Sequence, residues 1–524
     1  MGRMAATRAT QYVGWLLRVN RRLGGNEALR SGRTFAAAFR CDGMASLAPS
    51  HITRWENGTL AASRATIRRY EHLLGLPADS LVTVHDAVRR SELLDVATPD
   101  TGRGDPDVDR NQLYELLDRA TGDGVLSGGD WGRLTELVAA RPQLELYPPR
   151  LWRELADRLL AELVIAVNTA WLQRQEAMSR LLEHPAAQRH AVAACVALAD
   201  DQTAPAVIEP LSLLDVTAHP DANRYVLDQL TRPHNERAMY GALLAAVRKV
   251  GQAHFRDEEW GELVRCVGAA MTDFEFSHTL LPLVVDLAHR LTGVPSHADK
   301  LRRALPASSV ARLIWTVRRT SEPTAARSVS RRIANRAQSQ LTCEEPGTDE
   351  ILATLVEESL FLANPDQRMV ASMLIAASPY QLPVARVLLD ETKADLTRRG
   401  RNYPTTAALR NLTQLNVDIH RPLIHHILAE PGFNANIRHD AAWATPHMPG
   451  RYPAKDWLEI VNTQLATWRQ TRTDLGEGII QGLTYGIGTD GHRQILTQIR
   501  DSLEMPVSAR RTAAWLLQRD MIHS

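Results

Sequence analysis

Along most of the chain, apolar residues return every three or four positions, the period of a helix with one buried stripe. Near the N-terminus this pattern predicts five short helices. Trp15, Leu16, Val19 and Leu23 share one face of the first, Trp15–Leu23. Ser31 is placed to cap a second, whose inward residues are Phe35, Ala36 and Phe39. A third covers Ala48 to Gly58, with Pro49 suited to a first helical position and Gly58 as its stop. Ile52 and Trp55, three apart, anchor its inner side, while Ser50, His51, Thr53 and Arg54 project elsewhere. Ser63 caps a fourth helix, Ser63–Leu74, with Ile67, Tyr70 and Leu74 inward and Gly75 ending it. The fifth runs from near Asp79 towards Arg90.

Proline, glycine and aspartate then cluster in Ala97–Asp109, a composition that reads as a linker. A short amphipathic helix, Asn111–Ala120, is expected beyond it, followed by a glycine-rich break, Gly122–Gly132. From about Leu144 the pattern is helix, short break, helix to the end, and strand-like alternation is scarce. Several of these helices open with Pro and carry Arg four residues on: Pro185–Arg189, Pro220–Arg224, Pro233–Arg237 and Pro506–Arg510, with Pro365–Arg368 one shorter. The expected fold class is all-α. Its domains are an N-terminal domain of five short helices (1–90), an acidic linker with a short helix (91–143) and a helical-repeat domain (144–524).

The string Ile52-Thr53-Arg54-Trp55-Glu56-Asn57-Gly58 resembles the recognition-helix signature of Xre-type, lambda-repressor-like helix-turn-helix regulators. Ser63–Leu76 is similar to that family's fourth helix, at the expected distance. The resemblance implies that the exposed face at the start of the third helix enters the major groove of double-stranded DNA. Ser50, His51 and Arg54 are then the base readers, Arg54 being suited to bidentate contact with guanine. Thr53, Asn57, Arg64, Arg68 and Arg69 would contact the DNA backbone, although solvated surface is an equal reading for each of the last three. Ile52, Trp55 and Glu56 would be structural, Glu56 bridging to a nearby Arg. Two features depart from the family pattern: Phe39 to Ile52 is about six residues longer than usual, within 40–47, and Gly32 stands where a phosphate-binding Gln is usual. Residues 144–524 resemble HEAT-like repeats, an α-solenoid; an irregular helical bundle is the alternative.

Charge sharpens this division. The whole chain is +1, yet residues 1–90 hold fourteen Arg and six acids, a net of +8, and the remainder is −7. Residues 91–130 alone carry ten acids and three Arg, equal to that whole deficit. A second basic stretch, 300–336, includes Arg318, Arg319, Arg327, Arg331, Arg332 and Arg336. It is read either as a patch touching phosphates or as pairing with Glu344, Glu345, Asp349, Glu350, Glu357 and Glu358 downstream.

No residue constellation points to an enzyme, a metal or a cofactor. His420, His425 and His426 have no ligand-pair spacing, Asp105-x-Asp107-x-Asp109 lacks the rest of a calcium loop, and no P-loop occurs. Four scattered cysteines suggest a reducing compartment, and no leader peptide or membrane span is evident, so the expected location is cytoplasmic, at the nucleoid. The expected function is a sequence-specific transcriptional regulator on a palindromic operator. It would act as a homodimer, with an effector or protein partner at the helical domain. The alternative is an interaction adaptor tethered to DNA by the same N-terminal helices.

Overall fold

Every regular element among the described residues is helical, so the fold is all-α. The computed structural model describes residues 2–39, 48–91, 106–272, 280–293, 303, 323–341, 349–362, 364–398 and 405–518. The N-terminal helices are α1 (Gly2–Leu23), α2 (Gly32–Ala38), α3 (Pro49–Glu56), α4 (Arg64–Leu74) and α5 (Ser80–Ser91). Their ends are set by local chemistry. The Ser31 hydroxyl accepts from Arg33 N, the Ser63 hydroxyl accepts from Thr66 N, and Gly75 stops α4 in the left-handed region. The first helix is longer than expected and carries Gly14 in its interior.

The chain continues through α6 (Pro106–Thr121), α7 (Gly128–Ala139), α8 (Arg150–Ile165), α9 (Asn168–Glu183), α10 (Gln188–Asp200), α11 (Ile208–Ser212), α12 (Pro220–Thr231), α13 (Glu236–Gly251), α14 (Asp257–Thr272) and α15 (Leu281–Thr292). It then forms α16 (Pro323–Gln338), α17 (Glu350–Phe361), α18 (Pro365–Ala376), α19 (Gln381–Arg398), α20 (Thr405–Gln414) and α21 (Arg421–Ala429). The last described helices are α22 (Ala435–Ala444), α23 (Ala454–Thr471), α24 (Asp474–Thr489), α25 (Arg493–Asp501) and α26 (Val507–Leu517). No helix among the described residues is long and apolar enough to cross a membrane.

Two compact units result, and they do not follow the expected boundaries at 90 and 143. One gathers Met1–Gly102, Val167–Leu172 and Pro323–Met521; the other gathers Arg103–Ala166, Gln173–Glu322 and Ile522–Ser524. The reason is visible in α5. All residues from Leu81 to Val88 are buried, because α1 and α4 cover part of the helix and α18 covers another. Residues 92–105, which include most of the Pro/Gly/Asp stretch Ala97–Asp109, lie outside the described residues.

In the first unit the later helices pack on their next and next-but-one neighbours. Helix α20 meets α22, α22 meets α24 and α24 meets α26, while α21 meets both α22 and α23. Close approach at α24 depends on glycines four apart. A Cβ on Gly478 would lie 3.3 Å from the His439 ring, and one on Gly482 would lie 3.2 Å from the Trp443 ring. Helix α22 therefore lays His439 and Trp443 into a groove that larger residues on α24 would fill.

In the second unit the expected glycine break is shorter than the sequence suggests. Ser127 and Asp130 form a capping box that starts α7 at Gly128. The end of α6 is closed by Arg158, which donates to the carbonyls of Arg119, Ala120, Gly122 and Gly124. The Pro–Arg pattern marks helix starts unevenly. Pro220 and Pro365 occupy first positions and Pro506 precedes α26, whereas Asn235, not Pro233, caps α13. The arginines share no role: exposed Arg224 pairs with Asp221, while Arg368 reaches back to the Leu362 carbonyl.

Lys249 on α13 is 0% exposed, and its ammonium donates to the Thr217 carbonyl and to Asn223 Oδ1. Burial lowers its pKa to about 8, against the attraction of Asp215 and Glu259. The fold thus binds fewer protons than the unfolded chain between about pH 8 and 10.5, and stability should rise with pH over that window. Comparing urea unfolding of the wild type with Lys249→Met, the wild type should gain roughly 1–3 kcal/mol relative to the variant across it. A pH-independent difference would contradict this.

Candidate nucleic-acid interface

Helix α3 is held from behind by three residues. Ile52 is 1% exposed. Trp55 lies half-buried with its ring 5.5 Å from Phe39. Glu56 is 5% exposed and accepts from Arg21 Nε at 2.6 Å, Arg21 Nη2 at 2.7 Å and the Tyr70 hydroxyl at 3.2 Å. Burial opposes the charge on Arg21, but hydrogen bonds and attraction from Glu56 outweigh it and hold the guanidinium above its ordinary pKa. Burial also raises the Tyr70 phenol, so it stays a donor to Glu56. The pairing expected of Glu56 therefore falls to Arg21 on α1.

The same helix leaves Ser50, Thr53, Arg54 and Asn57 exposed. Their spacing of three, one and three residues puts all four on one helical stripe. Pro49 opens the helix without a side-chain cap, and the Thr53 hydroxyl donates back to the Pro49 carbonyl at 3.3 Å. At the other end the Arg54 carbonyl accepts from Thr59 N and Leu60 N. Gly58, at φ 68°, turns the chain away beneath α1. The seat there is backbone on backbone. A Cβ on Gly14 would lie 2.6 Å from the Trp55 carbonyl oxygen and 2.8 Å from Gly58 N, while one on Gly58 would lie 2.7 Å from Gln11 Cα.

The other residues expected at the interface divide. His51 is half-buried off the exposed stripe, its ring 6.3 Å from that of Trp55. Arg64 requires correction: it is 6% exposed, with Nη2 3.2 Å from Asp86 Oδ2 on α5, so it ties two helices together inside the fold. Arg68 pairs with Asp79 at 2.7 Å and Arg69 donates to the Ala38 carbonyl at 2.9 Å, both half-buried. The stretch 40–47, where the extra residues were placed, lies outside the described residues.

The second basic stretch forms an ion-pair ladder where it is described. Arg331 meets Glu350 at 3.0 Å, Arg327 lies 3.9 Å from Glu357, Arg332 meets Glu391 at 2.9 Å, and Arg336 meets both Asp390 and Glu391. Glu350 and Glu357 are among the acids expected from sequence, whereas Asp390 and Glu391 on α19 are not. Arg318 and Arg319 lie outside the described residues. The three histidines face different neighbours: His420 is fully buried, with burial lowering its pKa to about 4, His425 lies beside Tyr452, and His426 lies against Phe433. Among the described residues no group of three or more His, Cys, Asp or Glu could hold a metal ion.

No family model, curated protein or solved structure matches this chain.

Sequence reasoning missed three partners: Arg21 for Glu56, Asp86 for Arg64, and Gly14 against Gly58. The first was expected in kind, as Glu56 bridging to a nearby Arg, but not by position. A glycine inside a helix costs about 1 kcal/mol relative to alanine, and at Gly14 the close passage of α3 accounts for it.

Proposed function

We propose that the protein is a sequence-specific double-stranded-DNA-binding transcriptional regulator of the Xre-like, helix-turn-helix kind. The observation that carries this reading is the stripe Ser50, Thr53, Arg54 and Asn57. These four polar side chains are exposed on one face of a short helix whose Trp55 and Glu56 are held by Phe39 and Arg21. Such a face suits the major groove, where Arg54 would read guanine and Ser50 a neighbouring base. Thr53 and Asn57 would contact the flanking phosphates. Arg68 and Arg69 are best read as holding α4 in place, because each already has a partner on the protein. The next-but-one packing of helices α20 to α26 supports the HEAT-like reading of the remainder, with dimerisation, effector sensing or partner binding as its role.

The test is a duplex selected by the wild-type protein from a random library, then measured with Arg54→Ala. The variant should lose about 1–3 kcal/mol of preference for that duplex over a scrambled one and keep its fold. Equal preference by wild type and variant would remove Arg54 from the readout.

A further inference from the structure

Helix α1 has two working faces about half a turn apart. One carries Thr10, Gly14 and Arg21, the residues that meet α3: Thr10 O and Gly14 approach Gly58, and Arg21 holds Glu56. The other carries Arg8, Tyr12, Trp15 and Asn20, and each of these is held by the C-terminal helices of the same unit. Arg8 and the Tyr12 hydroxyl both donate to Glu358 on α17, the latter at 2.6 Å. Trp15 Nε1 donates at 2.9 Å to Asp349, the residue that caps α17. The Trp15 ring stacks on Tyr380, 6.2 Å between centroids and 10° between planes. Asn20 donates to the carbonyl of Ala377, which ends α18.

We infer that α1 is a lever through which the seating of α17 and α18 sets the DNA-binding competence of α3. The α3 end of this lever is stiff, because Gly14 and Gly58 leave no side chain between the helices to absorb a shift. The other end is made by side chains of α1, through polar contacts to Asp349 and Glu358, the Asn20 bond to the Ala377 carbonyl and the Trp15 stack on Tyr380. Helix α5, shared between α1, α4 and α18, ties the remaining N-terminal helices to the same support. Whatever moves α17 or α18 therefore changes the presentation of Ser50, Thr53, Arg54 and Asn57. By reciprocity, DNA on that stripe changes the seating of α17 and α18. This rests on the DNA-binding reading for its consequence, but not for the mechanical coupling itself.

The experiment uses the full chain with Glu358→Ala and, separately, Tyr12→Phe. It follows amide hydrogen exchange in Pro49–Glu56 and the dissociation constant for the duplex the wild type selects. Glu358→Ala should speed exchange in α3 at least tenfold and change the dissociation constant at least fivefold. Tyr12→Phe should shift both in the same direction by at least twofold. Faster exchange confined to α1, with α3 exchange and DNA affinity unchanged, would overturn the lever. Should Glu358→Ala fail to fold, Tyr12→Phe decides by the same readouts. A wild-type protein that selects no duplex sinks the DNA-binding reading alone, and α3 exchange then decides the lever by itself.

Discussion

Replacing Gly14 with alanine is expected to unseat α3, although alanine is the better helix former. The added methyl carbon would stand 2.6 Å from the Trp55 carbonyl oxygen, 2.8 Å from Gly58 N and 3.0 Å from the Glu56 carbonyl oxygen. All three are backbone atoms, so none can rotate aside, and the two helices must separate. Overpacking of this kind costs about 1–3 kcal/mol or more, against roughly 1 kcal/mol gained in helix propensity. Gly132 supplies the contrast. It lies within α7 with nothing near its absent Cβ, so Gly132→Ala should stabilise by about 0.5–1 kcal/mol. Thermal unfolding with hydrogen exchange at α3 separates the two effects. A Gly14→Ala protein as stable as the wild type, with α3 equally protected, would show that the helices do not meet at Gly14.

Removing Glu56 is expected to cost still more. Its carboxylate is the charge partner of Arg21, whose own side chain is 7% exposed, and it also accepts from Tyr70. Glu56→Ala leaves a buried guanidinium without its counter-charge and a buried phenol without its acceptor. Breaking one side of a buried pair costs about 3–5 kcal/mol. Replacing both partners, as in Arg21→Met with Glu56→Met, should recover a large part of that loss, since the charge and its desolvation cost leave together. Denaturant unfolding of the two single variants and the double variant measures this as a coupling energy. Additive losses would place the stabilisation in something other than the Arg21–Glu56 pair.

The two variants also indicate how far sequence reading reaches. Helix starts and stops were legible because they are written in adjacent residues: Ser31 and Ser63 as caps, Pro49 at a first position, Gly75 in the left-handed turn. The polar stripe of α3 was legible for the same reason, being a matter of spacing along one helix. Long-range partners were not. Arg64 looks like a surface cation until α5 brings Asp86 against it, and no local pattern links positions 64 and 86.

The second face of the N-terminal helices was hidden in a different way. Thr83, His85 and Asp86 interrupt the apolar run of α5 and give it the look of a half-exposed helix. In the fold these polar groups are buried, with His85 and Asp86 3.0 Å apart and Asp86 on Arg64, and α18 packs against the same helix. Likewise Tyr12, Trp15 and Asn20 lie on α1 with nothing in their own neighbourhood to announce Glu358, Asp349 or Ala377 as partners. The glycines of α24 are the converse case. Gly478, Gly482 and Gly486 stand four apart in plain view, and the reason for them is the close passage of α22 and Trp457.

DNA reading by α3 is tested most directly by one measurement. Purified full-length protein is incubated with a random-sequence duplex library, and the retained duplexes are sequenced alongside those retained by Ser50→Ala/Arg54→Ala. One enriched motif is expected for the wild type, with a guanine position whose enrichment disappears in the double variant. Retention without any enriched sequence, or an identical motif from both proteins, would contradict DNA reading by α3.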